Sequence, residues 1–336
     1  MSLRKWWMGW RAQSREASAS LPMPLDTEAL AQLWQGLDGW TPAYQELEQG
    51  SRALRQGSQA SPFLGQGLEY MESTNYERGD EIRHLDWRLM AKTGEPFSKR
   101  FEAMRQPQWC LLFDLSESMW FGTRERIKLA QAIRVGALLA KQVEQMGASL
   151  HVWCFDENGL RKLPLPAGRN LAQSLVEQLN QAPTSEQWRS KLQNNPAPLP
   201  EILMQLAEHE RTGTQLLLLS DFRQLLAQTQ KDASLQGVLM ALGEYFSVQA
   251  LQFFDQSEQL LPALSGVQLY GHEGEILSLQ DGAQRQAYQA WAQQHFTQTQ
   301  ALFAACGMAM LPLSAQASFE DCTEQWQSFY RQGGRG

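Results

Sequence analysis

The sequence predicts an α/β protein: a doubly wound, mainly parallel sheet flanked by helices, with an N-terminal helical/β extension before it. Three observations predict this. Short all-apolar runs recur at Trp109-Cys110-Leu111-Leu112-Phe113, Leu150–Phe155 and Leu216–Leu219, as strands buried on both faces require. Stretches with helical apolar spacing separate them, which implies right-handed crossovers and helices on both sheet faces. Two of the runs end on an aspartate, Asp114 and Asp221, at the carboxyl edge where open parallel sheets bind ligands.

Taken in order, residues 1–24 read as a basic-aromatic tail closed by Pro22 and Pro24. Leu30, Leu33, Trp34 and Leu37, then Tyr44, Leu47 and Leu54, have helical spacing that Gly36, Gly39 and Pro42 would interrupt. Residues 57–106 are rich in charge and glycine and end in a strand-like Phe97–Phe101. The extension therefore spans 25–106, the sheet domain 107–315, and a C-terminal helix and tail 316–336.

Within the sheet domain, strand 109–113 is followed by a helix over 125–146, with Leu129, Ile133, Ala137, Ala140 and Val143 on one stripe and Gly147 as its stop. Strand 150–155 turns back through Asn158-Gly159. A helix over 170–180, a loop rich in Pro, Asn and Gln, and a helix over 199–210 come next. Strand 216–219, helix 234–244, strand 247–254, helix 283–306, strand 308–313 and helix 318–331 complete the alternation.

The functional signal is Asp114-Leu115-Ser116-Glu117-Ser118, directly after the first buried strand. It delivers one carboxylate and two hydroxyls into the loop at the sheet edge. Such hard oxygen donors suit a small hard cation such as Mg²⁺. Asp221 takes the equivalent position after Leu216–Leu219, so Asp114, Ser116, Ser118 and Asp221 could share one ion. With few carboxylates the ion stays under-neutralised and would favour an acidic group from outside. The same residues also cap helices and fill turns routinely, and local sequence does not separate the two readings.

Composition narrows the alternatives. With 336 residues, 43% hydrophobic and 19% charged, the chain is globular in character. A formal net charge of -7 argues against a sequence-independent nucleic-acid binder, which needs a basic face. Cys110, Cys154, Cys306 and Cys322 show no paired metal spacing, and a reducing cytoplasmic setting accounts for them. No stretch approaches the roughly 20 apolar residues of a membrane span. Residues 4–11, with their Trp and basic side chains, could rest on a membrane surface, so a location peripheral to the inner membrane is an alternative. The five histidines lack ligand spacing, and Trp34, Trp40, Trp87, Trp109, Trp153 and Trp188 are expected to pack internally.

The order strand, D-x-S-x-S-M, amphipathic helix, later apolar strand and S-D resembles von Willebrand factor A-like domains, in which such residues form a metal-ion-dependent adhesion site. Upstream, Gly67-Leu68-Glu69-Tyr70, then Tyr76-x-x-Gly79-Asp80-x-x-Arg83-x-x-Asp86-Trp87, then Phe101-Glu102, resembles the bacterial family called domain of unknown function 58. Asp255-x-x-Glu258-x-x-Leu261-Pro262 and the helix with Arg285 and Tyr288 are similar to its later half. The resemblance covers about 60–315. It implies a non-enzymatic adaptor that works beside a MoxR-type AAA+ ATPase on a client bearing an acidic residue. The full adhesion site has a further threonine ligand from a middle loop, yet Ala167-Gly168-Arg169-Asn170-Leu171 has none, leaving Asn170 or water to substitute and Arg169 to occupy the cation position. The block of Tyr76, Gly79, Asp80, Arg83, Asp86 and Trp87 is expected to latch the extension to the sheet, with a direct partner surface as the alternative. A Mg²⁺-dependent hydrolase or phosphotransferase is the competing class. Against it, the chain has no G-x-x-x-x-G-K-[ST] loop and no second aspartate two residues after Asp114.

Overall fold

A computed structural model describes residues 23–40, 69–75, 87–102, 108–194, 197–223, 225, 234–260, 267–270, 276–279 and 282–333. Two compact units emerge. In the smaller one, β1 (Glu69–Asn75) pairs antiparallel with β2 (Phe97–Glu102), and α2 (Trp87–Thr93) lies between them in sequence. Tyr76, Gly79, Asp80, Arg83 and Asp86 lie outside the described residues, as do the N-terminal residues 1–22. Trp87 is described, and it is 63% exposed rather than packed internally. As the first residue of a seven-residue helix with no buried position, it has no apolar face to join.

The larger unit is the sheet. Its strands are β3 (Gln108–Asp114), β4 (Ser149–Asp156), β5 (Gly159–Leu163), β6 (Gln215–Ser220), β7 (Ser247–Phe254) and, near the end of the chain, β10 (Ala309–Ser314). A separate antiparallel pair, β8 (Val267–Tyr270) and β9 (Ile276–Leu279), falls between β7 and β10. The six strands are ordered β10-β7-β6-β3-β4-β5, all parallel except the edge strand β5, which returns antiparallel along β4. The doubly wound, mainly parallel architecture read from the apolar runs is the one the chain forms.

Side chains alternate across each strand. Leu111, Phe113, Leu217, Leu219, Leu251 and Phe253 point into one core, covered by α1 (Thr27–Gly39), α3 (Lys128–Gln145), α4 (Leu171–Leu179) and α10 (Phe319–Gly333). Cys110, Leu112, Leu216, Leu218 and Ala250 point into the other, covered by α6 (Leu199–His209), α7 (Ser234–Tyr245) and α9 (Gly282–Ala305). Leu25, Leu33 and Leu37 belong to the first core, so residues 25–39 pack on the sheet, whereas the sequence reading grouped them with the extension. The C-terminal helix does the same through Phe319, Cys322 and Trp326. Both additions lie over α3, which explains why that helix is buried almost all round and not on one stripe alone. Its polar residues are satisfied there: Gln142 accepts a 2.7 Å bond from Trp326 Nε1, and Gln131 donates to the Ala317 carbonyl at 3.1 Å.

Helix α3 approaches β3 closely at one glycine. A Cβ on Gly136 would fall 2.4 Å from Phe113 Cζ, well inside van der Waals contact. Gly136→Ala should therefore cost about 1–3 kcal/mol in denaturant unfolding, despite alanine's better helix propensity. Trimming the facing ring with Phe113→Leu should recover part of that loss, a coupling that a double-mutant cycle reads.

Candidate functional site

β3 ends on Asp114, and the register of the sheet puts Ser220, at the end of β6, beside it. The Ser220 hydroxyl donates to Asp114 Oδ2 at 2.6 Å, while its oxygen accepts from the Phe222 backbone N–H at 2.9 Å. Phe222, directly after Asp221, holds a left-handed φ of 54°, rare for an aromatic residue. Asp114 Oδ1 accepts from the Ser116 backbone N–H at 2.9 Å. Ser116 and Ser118 place their hydroxyl oxygens 3.2 Å apart at the start of a single 3₁₀ turn, Glu117–Trp120. Asp114, Ser116, Ser118 and Asp221 thus gather at one buried edge, from segments more than 100 residues apart.

Lys128, the first residue of α3, was not singled out by sequence. Its ammonium lies 2.7 Å from Asp221 Oδ2 and 2.6 Å from Glu258 Oε1. The Lys128 and Asp221 side chains are 1% and 3% exposed, and Glu258 is 17% exposed. Glu258 belongs to α8 (Gln256–Gln259), a single turn after β7, and its other oxygen accepts from the Asp255 backbone N–H. Asp221 Oδ1 accepts from the Arg223 backbone N–H at 3.0 Å, so both of its oxygens are engaged.

The electrostatics are lopsided. Burial, and then the charge of Asp221, push Asp114 up to about 6, because only neutral donors bond it. Burial works the same way on Asp221, but the Lys128 charge and hydrogen bond outweigh it and hold that carboxyl below its usual range. Glu258 is raised, by burial first, with Lys128 opposing and Asp221 adding to the rise. For Lys128 burial works downward, yet the two carboxylates win and its pKa rises.

The loops around this edge are tied down. Lys191 Nζ reaches the Leu115 carbonyl at 2.8 Å and Glu157 Oε2 at 3.0 Å, and Trp188 meets Trp120 edge-on at 5.8 Å. Both come from α5 (Ser185–Gln193), which folds within the stretch expected to be a loop. Its local signal was a capping box, in which Thr184 and Gln187 bond each other's backbones. Thr123 bonds Asp255 through both its N–H (2.9 Å) and its hydroxyl (2.6 Å). Arg126 donates to the Ala315, Gln316 and Ala317 carbonyls.

The middle-loop segment 167–171 does not reach this edge. β5 carries the chain back along β4, and the Leu171 N–H bonds Glu144 near the far end of α3. Arg169 and Asn170 are exposed there, so the cation facing Asp221 is Lys128 and not Arg169. Thr184 lies in the next turn of the chain but spends its hydroxyl on the cap of α5.

Among the described residues, no three His, Cys, Asp or Glu side chains form a ready ligand set, so an ion here must lean on hydroxyls. The Asp114 side of this buried cluster fits one. It has a buried carboxylate bonded only by neutral groups and two adjacent serine hydroxyls, all hard donors.

The fold and this edge define a class: an open α/β sheet carrying a buried cluster of carboxylates and hydroxyls at its carboxyl end. The chain belongs to the family described as "Protein of unknown function DUF58", which matches residues 72–298. It is 24% identical over 255 residues to uncharacterized proteins of Mycobacterium bovis and Mycobacterium tuberculosis, covering 74% of this chain and 75% of each relative. Among solved structures it is similar to a von Willebrand factor type A structure from Catenulispora acidiphila, with TM-score 0.35, 11% identity, and coverage of 70% of this chain but only 44% of that one. It is also similar to the SpRpn10 VWA domain, with TM-score 0.36, 11% identity, and coverage of 66% of this chain and 94% of that one. Among the described residues no helix is long and apolar enough to cross a membrane.

Proposed function

We propose that the chain is a non-enzymatic, von Willebrand factor A-like interaction module. Asp114, Ser116 and Ser118 hold a divalent ion, Mg²⁺ by the hardness of the donors, and an acidic side chain of a client protein completes its coordination. A MoxR-type AAA+ ATPase then remodels the pair. The observation that supports this reading most is Asp114 itself, a buried carboxylate at the carboxyl edge of the sheet to which, among the described residues, no cation is bonded. A structural carboxylate in that position would be expected to carry an ion pair, as Asp221 does.

The ion supplies charge to attract the acidic group. The protein's residues fix its place: Lys191 anchors the Leu115 carbonyl of the motif loop, and Thr123 joins that loop to Asp255. Asp114→Ala, with its fold verified by circular dichroism, should reduce co-purification with the ATPase or client by at least about tenfold. Adding a chelator to the wild type should do the same. Recovery that is unchanged by both treatments would sink the proposal.

A further inference from the structure

Within the reading just given, we infer that Lys128 is the resident cation of the crevice: its ammonium keeps Asp221 and Glu258 from ligating a metal, so a divalent ion engages only Asp114, Ser116 and Ser118. The geometry is one-sided. Lys128 takes one oxygen from each of two carboxylates at 2.7 and 2.6 Å, and the remaining oxygens of Asp221 and Glu258 accept backbone N–H groups at 3.0 and 2.8 Å. Among the described residues, Asp114 receives no cation and bonds Ser116 and Ser220.

The placement of Lys128 runs against the usual preference. A cation in the first turn of an 18-residue helix opposes the helix dipole, and full burial adds a desolvation cost. Such a position is stable only while both carboxylates stay on the ammonium. An ion that recruited Asp221 would strip Lys128 of half its compensation, so the lysine and the metal compete for that aspartate. Metal affinity follows the number of charged ligands. Lys128 therefore sets it low and leaves the ion attractive to an external acid.

Mn²⁺ binding to the full chain, read by electron paramagnetic resonance, tests this. Lys128→Met should bind Mn²⁺ at least about tenfold more tightly than wild type, and Lys128→Met/Asp221→Asn should lose the gain. Asp221→Asn alone should leave wild-type Mn²⁺ affinity within about twofold, whereas loss of a true ligand would weaken it by about tenfold or more. Should Lys128→Met unfold without metal, Mn²⁺ should restore its folded circular-dichroism signal. No gain in affinity, no rescue of the unfolded variant, or a tenfold loss in Asp221→Asn would each overturn the inference. A wild type that binds no Mn²⁺, beside a Lys128→Met variant that binds it through Asp221, would instead remove the proposed adhesion reading and keep Lys128 as the resident cation.

Discussion

Replacing Lys128 with methionine is expected to lower the unfolding free energy by about 3–5 kcal/mol in metal-free buffer at pH 7.5, since it strands the buried Asp221 and the partly buried Glu258. Methionine fills most of the lysine stem's volume, so the loss reports charge more than packing. The sign of the pH dependence separates the two. Lys128 holds Asp221 below its usual range, and that contribution is present above the unfolded carboxylate pKa. It disappears as pH falls through the lower, folded value. The deficit of the variant should therefore shrink steadily in acid as its stranded carboxylates protonate. A deficit that stays constant from pH 7.5 to well below the ordinary aspartate value of 3.8, measured by urea unfolding, would mean that packing and not charge had been lost.

How far the chain could be read without coordinates depended on the range of the forces involved. The buried strands were legible because a strand in a sheet covered by helices on both sides must be apolar on both faces, and Trp109–Phe113 and Leu216–Leu219 have little other use. The turn after β4 was legible from Asn158-Gly159 for a similarly local reason. Helix α5 was not, because its sequence is polar and its anchors, Trp188 and Lys191, act on the distant motif loop. The start of α3 shifted from 125 to 128 because Arg126 is drawn out to three carbonyls near residue 316.

The candidate site divides in the same way. Asp114, Ser116 and Ser118 are contiguous and sit after a strand, and pattern finds them. Lys128 and Glu258 matter only once residues 128, 221 and 258 converge, which no local window contains. One trace was visible: a lysine at the start of an apolar helix, next to Leu129, where the helix dipole disfavours a cation. The middle-loop ligand was sought in 167–171, because sequence order cannot show that antiparallel β5 sends that loop to the other end of the sheet.

Asp114→Asn is expected to stabilise the metal-free protein at pH 7.5 by about 1–3 kcal/mol, while removing the ion-binding carboxylate. The wild-type group rises from its ordinary 3.8 to about 6, through burial and the Asp221 charge, so its ionised form is disfavoured in the folded state. A folded pKa above the unfolded one contributes stability that is complete below the unfolded value and lost as pH rises through the folded one. The wild type should thus lose stability between about pH 4 and pH 6 through this group, and the variant should not. Asparagine can keep both contacts, with Oδ1 accepting from the Ser116 N–H and Nδ2 donating to the Ser220 oxygen. The variant's advantage should vanish near pH 4, where both side chains are neutral. Saturating Mg²⁺ at pH 7.5 should also erase it, since an ion that binds only the folded wild type stabilises it by mass action. Thermal melts at the two pH values, with and without Mg²⁺, read all of this. A variant less stable than wild type at both pH values would show that the Asp114 carboxylate is there to hold the fold together and not to bind.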